Sequence, residues 1–339
     1  MLISVKAKSG LTLSDENIEA TTFKDLSLRE ADVEEFLRKN IDVVFEEEET
    51  LLMVGQQVSN VQRGRSDLIA LDENGYVVLI EIKRDYADIV ARTEPFEFQA
   101  VRYAASLAKI RTSHELVDKI FAKYIEAHKD EFQLNELTPS ERGKRIVDDF
   151  LQKNSADKTF NLTQRIILIA SDYDEQTLSA VAWLIENGVK IQAFSLKPAR
   201  HGESVFLDVT RVLPPDDIKD YYVDIAGLPK EPGTVSPRGK RTSLPRMAQL
   251  MEWGILNKGD LLVIVNYDES EAEVIDHKRV RFKEQNMTFN DWGTTVTGWS
   301  SICIYQWAKL KDGSQTLDAL RQEKIQQMEN KNMTYNGAE

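Results

Sequence analysis

The chain has 339 residues, 42 % of them hydrophobic and 29 % charged, the balance of an ordinary globular protein with enough length for two domains. Its net charge of −13 argues against a protein that coats nucleic acid indiscriminately, though not against one that grips it locally or binds divalent metal. A single cysteine, Cys303, excludes an internal disulfide framework and a cysteine-based zinc cluster. No apolar run approaches the roughly 18 residues of a membrane span, and the N-terminus does not read as a secretion signal, so a cytoplasmic location is expected.

In chain order, LISVKAK reads as a short strand. LREADVEEFLRKNIDVVF carries Val33, Phe36, Leu37 and Ile41 at helical spacing. TLLMVGQQVS follows as a strand, then SDLIALDENGYVVLIEIKR as a hairpin. A helix is expected through EPFEFQAVRYAASLAKI, with Pro95 in its first turn. Residues 113 to 153 read as helical and polar, without evident chemistry. QRIILIAS, DEQTLSAVAWLIENG and VKIQAFSL then read as strand, helix, strand, with Gly188 at the helix C-terminal cap, a βαβ unit that adds parallel strands. The first of these strands is apolar on both faces, so the sheet should be covered on both sides. The domain is read as α/β.

Four prolines, two glycines and the basic residues Arg238, Lys240, Arg241 and Arg246 mark residues 228 to 246 as a linker, either a tether or a phosphate contact. A smaller unit follows over residues 245 to 322. LPRMAQLMEWGILNKGDLLVIV reads as helix, turn and strand. The next stretch reads as alternating strands that include Cys303, with a helix at TFNDWGTTV, and the last seventeen residues read as a frayed polar tail. Trp292, Trp299 and Trp307 cluster there; clustered aromatics fill small cores more often than they read ligands.

The hairpin carries the chemistry. Val77 to Ile80 is apolar at every position, yet Glu81 and Lys83 close that strand on one face and Asp67 opens the other. With a three-residue loop, Glu73-Asn74-Gly75, Asp72 pairs with Tyr76 and Asp67 falls opposite Glu81. A two-residue Asn-Gly loop instead sets Asp67 opposite Ile82. In the first register the carboxylates repel unless a cation lies between them, and oxygen ligands favour Mg²⁺ or Mn²⁺. Lys83 would then orient a water or stabilise developing charge. The bland alternative is a salt bridge at a strand end. Gln99 and Tyr103 share a face of the next helix, and Arg63, Arg65 and Arg84 flank the two strands as candidate phosphate contacts.

GRSDLIALD, VVLIEIKR and FQAVRYA together resemble the PD-(D/E)xK nuclease superfamily, particularly its NucS-like and RecB-like branches. The resemblance covers roughly residues 25 to 225, with Ser66-Asp67 in place of the PD. It implies a restriction-endonuclease-like mixed sheet flanked by helices and a Mg²⁺-dependent deoxyribonuclease. Asp67 and Glu81 would be metal ligands, Lys83, Gln99 and Tyr103 would belong to the site, and Glu30, or Glu34 one turn later, would be the first-helix acid. LMEWGILNKGD, Ala272 to Val274, TGWSSICIYQW and DGSQTLDALR resemble in order a RAMA domain, a module associated with restriction enzymes. That implies DNA recognition, with Trp299, Ser300 and Ser301 as candidate contacts and an α+β fold. Such enzymes often act as dimers, so a homodimer is an expectation. The rival reading is a non-catalytic DNA-recognition or scaffold protein that keeps the nuclease fold. The remaining signals are set aside: GTVSPRGKRTS lacks a phosphate-binding loop's spacing, the four histidines lack ligand spacing, and Glu46 to Glu49 reads as a solvated turn.

Overall fold

The computed structural model describes residues 5–7, 11–13, 18–45, 47–59, 64–91, 94–214 and 244–336. The chain divides into two compact units: residues 1–39 with 53–241, and residues 40–52 with 242–339. No helix among the described residues is long and apolar enough to cross a membrane.

The first unit is α/β. Its strands are β1 (Leu51–Ser59), β2 (Arg65–Asp72), β3 (Val77–Lys83), β4 (Gln164–Ala170), β5 (Lys190–His201) and β6 (Ser204–Leu213). They form a mixed sheet in the order β5-β4-β3-β2-β1, with the two-residue strand Glu19–Ala20 and β6 both paired to β5. β3, β4 and β5 run parallel, as the βαβ reading requires, while β2 is antiparallel to β3 and β6 to β5. Val77 to Ile82 are all buried, so the sheet is covered on both faces there. Each such aliphatic side chain contributes about 1.5–3 kcal/mol of burial.

Three longer helices flank the sheet, α1 (Glu30–Lys39), α2 (Phe96–Leu107) and α4 (Glu175–Glu186), while α3 (Pro139–Lys153) packs on the helical segment 113–127. α1 packs on β2 and β3, and α2 on β3 and β4. Pro95 stands just outside α2 rather than in its first turn, because its ψ of 141° is extended. Asp174 caps α4 by accepting the Thr177 amide at 2.9 Å. The helix ends where Gly188 (φ +84°) and Val189 return their amides to the carbonyls of Ile185 and Leu184.

The second unit carries a five-stranded antiparallel sheet: β7 (Leu261–Ile264), β8 (Ala272–Val274), β9 (Arg279–Phe282), β10 (Gln285–Thr288) and β11 (Ala308–Leu310), ordered β10-β9-β8-β7-β11. Helix α5 (Phe289–Thr297) starts at a capping box between Thr288 and Asp291. The expected strand through Cys303 is absent: Cys303 is buried and directly precedes a one-turn helix, Ile304–Trp307. The expected frayed tail is also corrected, since helix α6 runs over Leu317–Asn336.

Residues 47–51 thread into this second core. The Leu51 amide donates to the Ser301 carbonyl, and the Cys303 amide to the Thr50 hydroxyl. Glu48 is not a solvated turn residue. Both its oxygens bind Arg321, at 2.9 and 3.0 Å, and that guanidinium is buried beneath Asp318 and over the Tyr305 ring. Glu46 lies outside the described residues.

Candidate active site

The hairpin geometry begins at its loop. Gly75 adopts φ +77°, open to glycine at little cost, and a Cβ there would lie 2.9 Å from the Ala156 carbonyl oxygen. The Asp72 amide donates to Tyr76, and the Asp72 carboxylate accepts the amides of Asn74 and Tyr76. This is the three-residue loop. Leu71 pairs with Val77 and Leu68 with Ile80, so the next step of the ladder sets Asp67 opposite Glu81.

Both carboxylates are buried. Asp67 Oδ2 accepts the Ile82 amide at 2.8 Å. Glu81 is fully buried, and neither of its oxygens has a hydrogen-bond partner. Burial, and next the charge of Asp67, pushes the Glu81 carboxyl up to about 9; Lys83 and the nearby Asp67 amide oppose the shift. Burial also lifts Asp67 to about 6, against the pull of Lys83 and the Ile82 amide. Two acids held this way resist joint ionisation without a cation.

Lys83 supplies one positive charge. Its Nζ lies 3.2 Å from Glu30 Oε1 and 3.0 Å from the Ile82 carbonyl oxygen, and 5.8 Å from the centre of the Phe96 ring. Glu30 opens α1, and Glu34 follows one turn later, so the first-helix acid is not a choice between two: both face this region. Glu34 is buried, with one oxygen unpartnered and the other bonded by the Gln57 side-chain amide. Burial raises its carboxyl to about 7, and the charges of Asp67 and Glu30 add to the shift while the Gln56 and Gln57 amides oppose it. Gln57 itself sits at φ +52° within β1, a conformation that a non-glycine strand residue rarely takes. The sequence reading missed Gln56 and Gln57; two amides in the otherwise apolar LLMVGQQV were the available signal.

Gln99 and Tyr103 brace this arrangement at the start of β2. The Tyr103 hydroxyl accepts the Arg65 amide at 3.1 Å, and the Gln99 amide reaches that hydroxyl at 3.5 Å. Arg65 is exposed at the strand entry, and Arg63 lies outside the described residues. Arg84 is not a free phosphate contact. Asp85 and Asp88 hold its guanidinium at 3.0 and 3.1 Å.

The second unit requires a further correction. Trp299 is buried edge-to-face against Trp307 at 4.8 Å, with Tyr267 also against it. Ser301 is fully buried and donates its hydroxyl to the Glu49 carbonyl, while half-buried Ser300 donates its amide to Leu51. Trp299 and Ser301 therefore build the core and present no face to DNA. Arg238, Lys240 and Arg241 lie outside the described residues, and Arg246 is 3.8 Å from Glu48.

Among the described residues, no group of three or more histidine, cysteine or acidic side chains forms a ready metal cage. The unpartnered oxygens of Glu81 beside Asp67 fit a cation that takes one or two carboxylates and leaves its other positions to water and phosphate, as Mg²⁺ does. No family model matches the chain, and no curated protein or solved structure matches it either.

Proposed function

We propose that this chain is a metal-dependent deoxyribonuclease of the PD-(D/E)xK type, with a restriction-endonuclease-like first unit and a second unit that biases the choice of DNA. The observation that carries the reading is the buried Asp67–Glu81 pair, with both Glu81 oxygens unsatisfied and Lys83 two residues along the same strand. Leaving a buried acid unpaired costs several kcal/mol, and a structural salt bridge would not leave it so.

Asp67 and Glu81 would hold Mg²⁺ or Mn²⁺. The bound cation would polarise the phosphodiester and acidify a water. Lys83, fixed by Glu30 and the Ile82 carbonyl, aligns that water with phosphorus and stabilises the charge that gathers on the phosphoryl oxygens. The water oxygen would bond to phosphorus as its proton passes to solvent, the bond to the leaving oxygen would break, and that oxygen would take up a proton from solvent. Gln99 and Tyr103 act by positioning the start of β2. Restriction or genome defence is the setting that the two resemblances favour.

The test is plasmid cleavage with Mg²⁺ or Mn²⁺, comparing wild type with Lys83→Ala on unmodified, methylated and glucosylated DNA. Wild type is expected to cut and the variant to bind without cutting; a difference between substrates would assign target choice to the second unit. Equal cutting by both proteins refutes the site. No cutting on any substrate, with binding intact, replaces the nuclease by a DNA-recognition protein on the same fold.

A further inference from the structure

Gln56 and Gln57 are neighbours in β1, and successive side chains of a regular strand point to opposite faces. Here both reach the same helix. The Gln57 amide donates to Glu34 Oε2, and the Gln56 amide donates to Glu35 Oε2 at 3.4 Å. The left-handed backbone at Gln57 (φ +52°) breaks the alternation and brings the second amide round to α1. A residue other than glycine holds such a backbone at a cost, and outliers of this kind gather at functional sites.

The surroundings fix the kink. A Cβ on Gly55 would lie 2.7 Å from Ile120 and 2.9 Å from Val58, so the strand enters it pressed against the helical segment 113–127. His128 Nε2 donates to Gln56 Oε1 at 3.0 Å, which turns the Gln56 NH2 group toward Glu35. Gln57 thus takes up one oxygen of the buried Glu34. The other, Oε1, stays buried and without a partner among the described residues. The charge of Asp67 helps to raise the Glu34 carboxyl, so the two acids lie within electrostatic reach. A contact kept for stability alone is poorly served by this arrangement. Apolar side chains at 34 and 57 would need neither the strained backbone nor the unsatisfied oxygen.

We propose that Gln57 is a positioning residue of the cation site: it holds Glu34 by Oε2 so that Oε1 stays free for the hydration shell of the cation that Asp67 and Glu81 would bind. The inference rests on the metal-dependent reading and adds to it a residue that acts through another. Partners that grip a metal-site side chain by its second polar atom typically change metal affinity by about 10–100-fold. The strained backbone is then what aims the amide, and Gln56, held by His128, keeps the neighbouring Glu35 out of the same role.

Titration of the full chain with Mn²⁺, followed by loss of the paramagnetic signal of the free ion, tests the proposal without DNA or cleavage. Wild type is expected to bind Mn²⁺ and Glu81→Gln to lose that binding. Gln57→Gly removes the amide and accepts the left-handed backbone freely, so it should weaken binding about tenfold. Its melting temperature in EDTA should stay near wild type, because strain is relieved as a hydrogen bond is lost. Glu34→Gln should weaken binding to the same degree, and the double variant no further, since the two residues act as one unit. Gln57→Asn, tolerant of positive φ but too short to reach Glu34, carries the same expectation if the glycine variant does not fold. Wild-type Mn²⁺ affinity in the Gln57 variants, or losses that multiply in the double variant, overturns the proposal. If Glu81→Gln still abolishes binding in that case, the cation site stands without Gln57. Absence of binding by wild type, or equal binding by Glu81→Gln, overturns the cation site itself and this inference with it.

Discussion

Replacing Glu81 by glutamine should stabilise the metal-free protein at alkaline pH, the reverse of what removing a buried charged group from a salt bridge does. The wild-type carboxyl titrates at about 9 when folded and near 4.5 when unfolded. Between those values the native state holds a proton that the unfolded state has released, so stability falls as pH rises. From pH 4.5 to 8 the penalty reaches on the order of 5 kcal/mol, at 1.36 kcal/mol for each pH unit. Glu81→Gln keeps the shape and removes the titration. Urea denaturation in EDTA, followed by circular dichroism, should show wild type and variant nearly equal at pH 5 and the variant several kcal/mol more stable at pH 8. Adding Mg²⁺ at a hundred times its dissociation constant should restore about 2.7 kcal/mol to wild type and nothing to the variant. A variant less stable at pH 8, or one with the wild-type pH dependence, would refute the account of an uncompensated acid kept for a cation.

Tyr103→Phe removes the acceptor of the Arg65 amide. Thermal melts should register a loss of about 1 kcal/mol, and cleavage should slow while oligonucleotide binding stays near wild type. Arg321→Met strands Glu48 and Asp318 beside a closed core. It should destabilise the second unit by about 3–5 kcal/mol, read as early loss of the near-ultraviolet signal of its tryptophans.

The first unit was legible because its signals are local. The apolar run Val77 to Ile80 and the glycine at Gly75 marked the hairpin, and of the two registers considered the backbone adopts the three-residue one. The βαβ unit was equally readable from its apolar strand and the glycine after its helix. The misreadings share a cause: each concerns a partner distant in sequence. Glu48 reads as solvated until Arg321 reaches it, and TGWSSICIYQW reads as a strand until Thr50 and Leu51 supply its hydrogen bonds. Choosing between Glu30 and Glu34 also missed that helical spacing lets one acid pair with Lys83 while the next lies buried beside Gln57.

The three-residue loop at Glu73 to Gly75 makes the site a matter of counting parity. Asp67 lies five residues from the turn, roughly 17 Å along the strand, too far for any loop side chain to touch it. Drawing Glu73 into the strand, so that the loop closes as Asn74-Gly75 alone, would nevertheless slide β2 against β3 by a single place and set Asp67 opposite Ile82, with every side chain of the candidate site still present. The meeting of the two acids thus depends on the register of the ladder as much as on the residues themselves.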